Sequence, residues 1–235
     1  MTTKTEPKTT ALATMRAVEL HRVLCDAKVF AGDDDTIPGI CMVHIEIGGN
    51  KMLAVATDRF RLGASKTDLD ENLGEAQFNL SLHDVNTIVK LAKTGRRDEH
   101  SRFVWVNRND DGTVTFKFND GASLDVTPQD TQFPKWRQLF PETGSQIPRD
   151  ATAFTAEYLS SFAKVNGGDS QRVTMYSHDD IHGYRDKPEK PVAGKMYGTQ
   201  RPTTFTIGEN FVGLLMPVKL PDEAQHQWVK PEWLG

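Results

Sequence analysis

The chain has 235 residues, 37% of them apolar, and a formal net charge of −4. That is enough apolar material for one large or two small domains. The mild acidity excludes a chain that grips nucleic acid over its whole surface, though not one with a local basic patch. No apolar run is long enough to span a bilayer, no secretory signal is expected, and Cys25 and Cys41 fit no zinc or redox spacing. A soluble protein of a reducing cytoplasm is expected, with no cofactor.

Residues 1–11 are polar and read as a loose N-terminus. The apolar pattern from Leu12 to about Phe30 predicts a helix, broken by the acids 33–35 and Pro38-Gly39. ICMVHIEI (40–47) and KMLAVAT (51–57) predict two strands joined by a hairpin turn at Gly48-Gly49-Asn50. A further strand is expected at 77–80. Ser81 then caps a helix over about 82–94, with Leu82, Val85, Ile88, Val89 and Ala92 on one face and His83, Asn86, Thr87, Lys90 and Lys93 on the other. After the charged loop 95–102 come three short strands, 103–106, 113–118 and 122–126, with turn chemistry at NDDG and NDG. The segment "FPKWRQLFP" (133–141) is a proline-bounded loop with four large apolar side chains. A second unit reads more faintly: a helix over 156–165, strands at 171–177, 204–207 and 211–218, a long loop at 183–203 and a polar tail from Pro221. The pattern is α+β with largely antiparallel sheets.

Signatures of catalysis are missing: no glycine-rich phosphate loop, nucleophile elbow or H-E-x-x-H is present. His178-Asp179-Asp180-x-His182 is the best metal candidate, and a polar turn is the preferred reading of it. The acids 33–35 lack the glycine and distal glutamate of a calcium loop. No metal is expected.

Three segments are specific when taken together: "ATDRFRLG" (56–63), "FPKWRQLFP" and "LLMPVKL" (214–220). In this order and spacing they resemble the bacterial DNA polymerase III beta subunit, the sliding-clamp family, which carries A-T-D-G-H-R-L, F-P-D-Y-R-R-x-x-P and a terminal M-P-M-R-L. The resemblance covers about 12–141 as the family's middle domain. It takes 12–147 as one clamp domain, 148–220 as a shortened last domain and 221–235 as an added tail, with the family's first domain missing. It implies a DNA-clamp fold: antiparallel sheets outside and paired helices on the inner face.

The resemblance also implies a non-catalytic processivity factor that encircles duplex DNA and tethers a replicative polymerase, from a phage or a divergent bacterium. Carried over by position, a peptide-binding cleft would use Ile40, Thr57, Arg59, Phe60, Arg61, Leu62, Pro134, Gln138, Leu139, Leu214, Met216, Pro217, Val218 and Lys219. Arg59 and Phe60 stand where the family has Gly and His, Gln138 where it has Arg, and Lys219 where it has the final Arg. DNA would meet Arg16, Arg22, His83, Asn86, Lys90, Lys93, Arg96, Arg97 and Lys164, with Lys187, Lys190, Lys195 and Arg201 on the long loop. Expected partners are duplex DNA without sequence preference, a polymerase or other clamp-binding peptides, and further copies of the chain, a trimer being the favoured ring. A clamp loader also comes into consideration. The alternative is a clamp-like decoy or regulator that keeps the cleft without encircling DNA.

Overall fold

The computed structural model describes residues 9–34, 36–140, 153–167, 172–176 and 202–218. The chain opens with strand β1 (Thr9–Arg16), followed directly by helix α1 (Ala17–Lys28). A short 3-10 turn, Pro38–Ile40, leads into β2 (Met42–Gly48), β3 (Lys51–Thr57), β4 (Arg61–Asp68), β5 (Glu71–Asn72) and β6 (Ala76–Ser81). Helix α2 (Leu82–Ala92) follows, then β7 (Phe103–Asn109), β8 (Val114–Phe118) and β9 (Ser123–Val126). The second segment holds α3 (Ala156–Ser161), β10 (Val173–Tyr176), β11 (Thr203–Ile207) and β12 (Phe211–Leu215).

Among the described residues every strand pair is antiparallel. One sheet runs β5-β1-β7-β8-β9 and the other β10-β11-β12-β4-β3-β2-β6. The second sheet is continuous across both halves of the chain, because β12 pairs with β4 in register Leu214↔Leu62 and Gly213↔Gly63. The hairpin expected at 48–50 forms, with Gly49 at φ +56° and Asn50 at φ +63°. These are the left-handed conformations that a tight two-residue hairpin requires. Ser81 caps α2 as expected, its hydroxyl accepting the Asp84 N–H at 3.1 Å. The meander is also found.

The expected helix over 12–30 is instead a strand followed by a helix. Leu12, Ala13, Thr14 and Met15 are all buried, with β1 held between β5 and β7. A four-residue run buried on both faces carries no period, so it joins the helical pattern behind it. The strand β4 has no period-2 signal in sequence, because RLGASKTD carries one large apolar side chain, Leu62, among small and polar residues.

The main core joins both sheets and both long helices, through residues such as Leu20, Leu24, Ile45, Met52, Ile88, Val106 and Phe116. From the second segment Phe162, Phe205, Phe211 and Leu215 enter the same core. Phe30 lies 5.1 Å from Phe162 and 5.4 Å from Phe211 between ring centroids. Each such buried aromatic stabilises the fold by about 1.5–3 kcal/mol.

Candidate functional site

Strand alternation gives the seven-stranded sheet a second apolar face. Met42, Val55, Leu62, Ala64 and Leu214 point away from the main core and form their own cluster, covered by Phe133 and Trp136. This accounts for the apolar content of the proline-bounded loop. Phe133 and Trp136 are a lid over the outer face, with Phe140 packed beside them, while Leu139 stays 50% exposed.

The loop is pinned by polar contacts as well. Glu46 on β2 accepts the Trp136 indole N–H at 3.1 Å and both arms of the Arg137 guanidinium. Its neighbour on the same strand face, His44, stacks on Phe133 at 4.8 Å and bonds Asn79 at 2.7 Å and Glu46 at 3.2 Å. Burial pushes the Glu46 carboxyl up, and the Arg137 and Trp136 hydrogen bonds outweigh it, holding the group below the usual carboxylate range. His44 and Glu46 were missed in sequence. The only signal was their spacing of two on a strand whose intervening residues are apolar. An open groove of about 410 Å³ runs along this loop, lined by His44, Glu46, Phe133, Pro134, Trp136 and Gln138 among others.

The turn between β3 and β4 carries a second group of the candidate residues. Asp58 accepts the Phe60 and Arg61 N–H groups and pairs with the Arg61 guanidinium at 2.7 Å. Arg61 also lies over the Tyr158 ring at 5.0 Å. Phe60 is 53% exposed and stacks on Tyr158 at 5.9 Å. The chain leaving β12 runs beside this turn, since the Met216 N–H donates to the Phe60 carbonyl at 3.0 Å.

The predicted cleft residues therefore divide into two sets. Ile40, Thr57, Leu62 and Leu214 are buried, Leu62 and Leu214 in the cluster under the loop. Arg59, Phe60, Pro134, Gln138, Leu139, Met216 and Val218 are exposed, with Arg61 and Pro217 half-buried. Lys219 lies outside the described residues, as do the His178–His182 group, the basic loop 187–201 and the tail tryptophans. Among the described residues no three metal-ligating side chains converge, and no helix is long and apolar enough to cross a membrane.

The cationic candidates divide as well. On α2 and just after it, His83, Asn86, Lys90, Lys93, Arg96 and Arg97 are exposed. Helix α1 packs alongside: Lys28 Nζ donates to Asn86 Oδ1 at 3.2 Å. Burial first, then the Lys28 and Lys93 charges, depress the His21 pKa. Arg16 is half-buried at the start of α1, 3.6 Å from Glu19, and Lys164 is exposed on a separate 3-10 turn.

Arg22 corrects the sequence reading. Its side chain is 9% exposed, paired with Glu19 at 3.0 Å and Asp26 at 3.3 Å, and it donates to the Ser65 hydroxyl and the Lys66 carbonyl. It ties α1 to β4 and has no free face for phosphate. A buried arginine on an amphipathic helix has the same sequence signature as a solvated one. Asp26, pushed up by burial despite these partners, accepts the Asn166 N–H at 2.7 Å and so ties α1 to the second segment.

No protein-family model matches this sequence. Solved structures do share its architecture. A DNA polymerase sliding clamp from Pseudomonas aeruginosa superposes with a TM-score of 0.68 at 12% identity, over 94% of this chain and 69% of that one. The DNA polymerase III beta subunit of Thermotoga maritima gives 0.66 at 15% identity, over 93% and 68%. The corresponding beta chain of Streptococcus pneumoniae gives 0.65 at 13%, over 94% and 67%. The chain thus has a DNA-clamp fold and spans about two thirds of the length of these proteins.

Proposed function

We propose that this chain is a non-catalytic sliding clamp, which encircles duplex DNA and tethers a polymerase through a peptide-binding cleft. The observation that carries the reading is the pairing of β4 with β12. It brings the described parts of the three family-like segments together, which supports a division into a clamp domain over 12–147 and a shortened one over 148–220. Leu62 and Leu214 face the loop lid there, and Phe60 touches the chain entering Met216. Exposed Phe60, Leu139, Met216 and Val218 offer apolar contact for a short peptide segment. Two such anchors are worth on the order of 3–6 kcal/mol before ordering costs, which suits exchangeable partners.

The exposed cations of α2 support the DNA half of the reading. Phosphate contacts carry no sequence information and weaken with salt, so a ring lined with them slides. Ring closure would use sheet edges such as β9 and β10, and the trimer remains the favoured ring. Cytoplasmic replication in a phage-infected or divergent bacterial cell is the setting, with a loader as a candidate partner.

Native mass spectrometry combined with retention on circular DNA tests this. An oligomer that stays on closed circles and slides off after linearisation is expected. A monomer that binds polymerase-tail peptides but not DNA would replace the clamp by the decoy or regulator.

A further inference from the structure

The turn between β3 and β4 carries a side chain that its backbone disfavours. Arg59 sits at φ +78°, in the left-handed region that suits glycine. The surroundings hold it there. Thr57 Oγ1 accepts the Arg59 N–H at 3.2 Å and donates to the Arg61 carbonyl at 2.8 Å, while Asp58 Oδ1 accepts the next two N–H groups. A glycine would make this turn without strain; here the turn presents a guanidinium to solvent.

Among the described residues the two acids beside it have other partners. Asp58 pairs with Arg61. Asp34, whose pKa is lowered first by bonds from Thr36 and last by the Arg59 charge, already accepts the Thr36 N–H and hydroxyl. Among the described residues Arg59 makes no ion pair. Next to it is exposed Phe60, and across the backbone bond from Phe60 is exposed Met216. Among the described residues, then, an unpaired cation borders the apolar strip.

We propose that Arg59 is a specificity-determining residue of the cleft and selects peptides that carry a carboxylate beside their apolar anchors. The inference rests on the peptide-cleft reading above. Apolar anchors attach a segment without distinguishing its flanks. A charge at the rim supplies that distinction, attracting an acid and repelling a base, more through specificity and encounter rate than through raw affinity. The guanidinium fork also matches a carboxylate geometrically.

The test is an anisotropy titration of the full chain with three synthetic peptides. All carry the same Leu and Phe anchors, preceded by Asp-Asp, Ser-Ser or Lys-Lys. The wild type should bind them in that order, with about a three- to tenfold step from Asp-Asp to Ser-Ser that shrinks as salt is raised. Arg59→Gly, which the turn accepts, should bind all three alike, and Arg59→Glu should reverse the order. Melting curves establish that both variants are folded. Equal affinity of the wild type for all three peptides overturns the selector role and leaves the cleft standing. Binding of none of them by the wild type removes the cleft, and this inference with it.

Discussion

Gly63 and Gly213 face each other across the β4–β12 pair, and neither has room for a methyl group. A Cβ on Gly63 would lie 2.3 Å from the Phe30 ring, and one on Gly213 would lie 2.7 Å from Phe162 and 3.0 Å from the Leu62 carbonyl. The two missing side chains are the space in which the aromatic rings of both halves of the chain meet. Gly63→Ala should lower stability by about 1–3 kcal/mol through overpacking. Gly95→Ala, where nothing lies within 4 Å, should stay within about 0.5 kcal/mol. Chemical denaturation of the two variants checks the contrast, and equal midpoints would contradict the packing account.

Lys90 and Arg22 should separate DNA binding from folding. Lys90→Glu with Lys93→Glu changes exposed residues, so stability should hold while retention on circular DNA disappears. Arg22→Ala leaves Asp26 buried beside fewer partners and should cost about 3–5 kcal/mol. Unchanged DNA loading by the double variant, measured on nicked circles, would remove α2 from the DNA-facing wall.

The cleft is best tested at its exposed residues. Leu62→Ala would open the buried outer cluster and lose about 2–5 kcal/mol of stability, which confuses a binding assay. Leu139→Ala with Met216→Ala alters side chains that are 50% and 42% exposed. Calorimetry with a polymerase-tail peptide should show at least a tenfold loss of affinity with little change in melting. Undiminished binding would take both residues out of the site.

Glu46 makes the loop lid sensitive to acid. Its carboxyl titrates below the usual range in the folded chain, so its stabilising effect is complete above the unfolded value of about 4.3. It fades as pH falls through the folded value, where both states become protonated. Glu46→Gln should therefore be less stable than wild type at neutral pH, and the gap should close at strongly acid pH. Urea midpoints at the two pH values read this directly, and a gap that widens in acid would reverse the assignment.

Local patterns determined much of this protein. The α2 stripe with its Ser81 cap, the 48–50 hairpin and the meander from Phe103 to Val126 are each set by periodicity and turn residues within a dozen positions. The three family-like segments were also legible, as was the exposed cationic face of α2. The tertiary structure decided what depends on partners distant in the chain. Leu12 to Met15 became a strand because β7, about ninety residues away, pairs with them. Arg22 became a buried tie because Asp26, Ser65 and Lys66 converge on it. Glu46 and His44 gained their role only when the 133–140 loop folded across the sheet. A sequence records which groups a residue carries. Whether a guanidinium meets water or a buried carboxylate is set by long-range pairing, which no local period encodes.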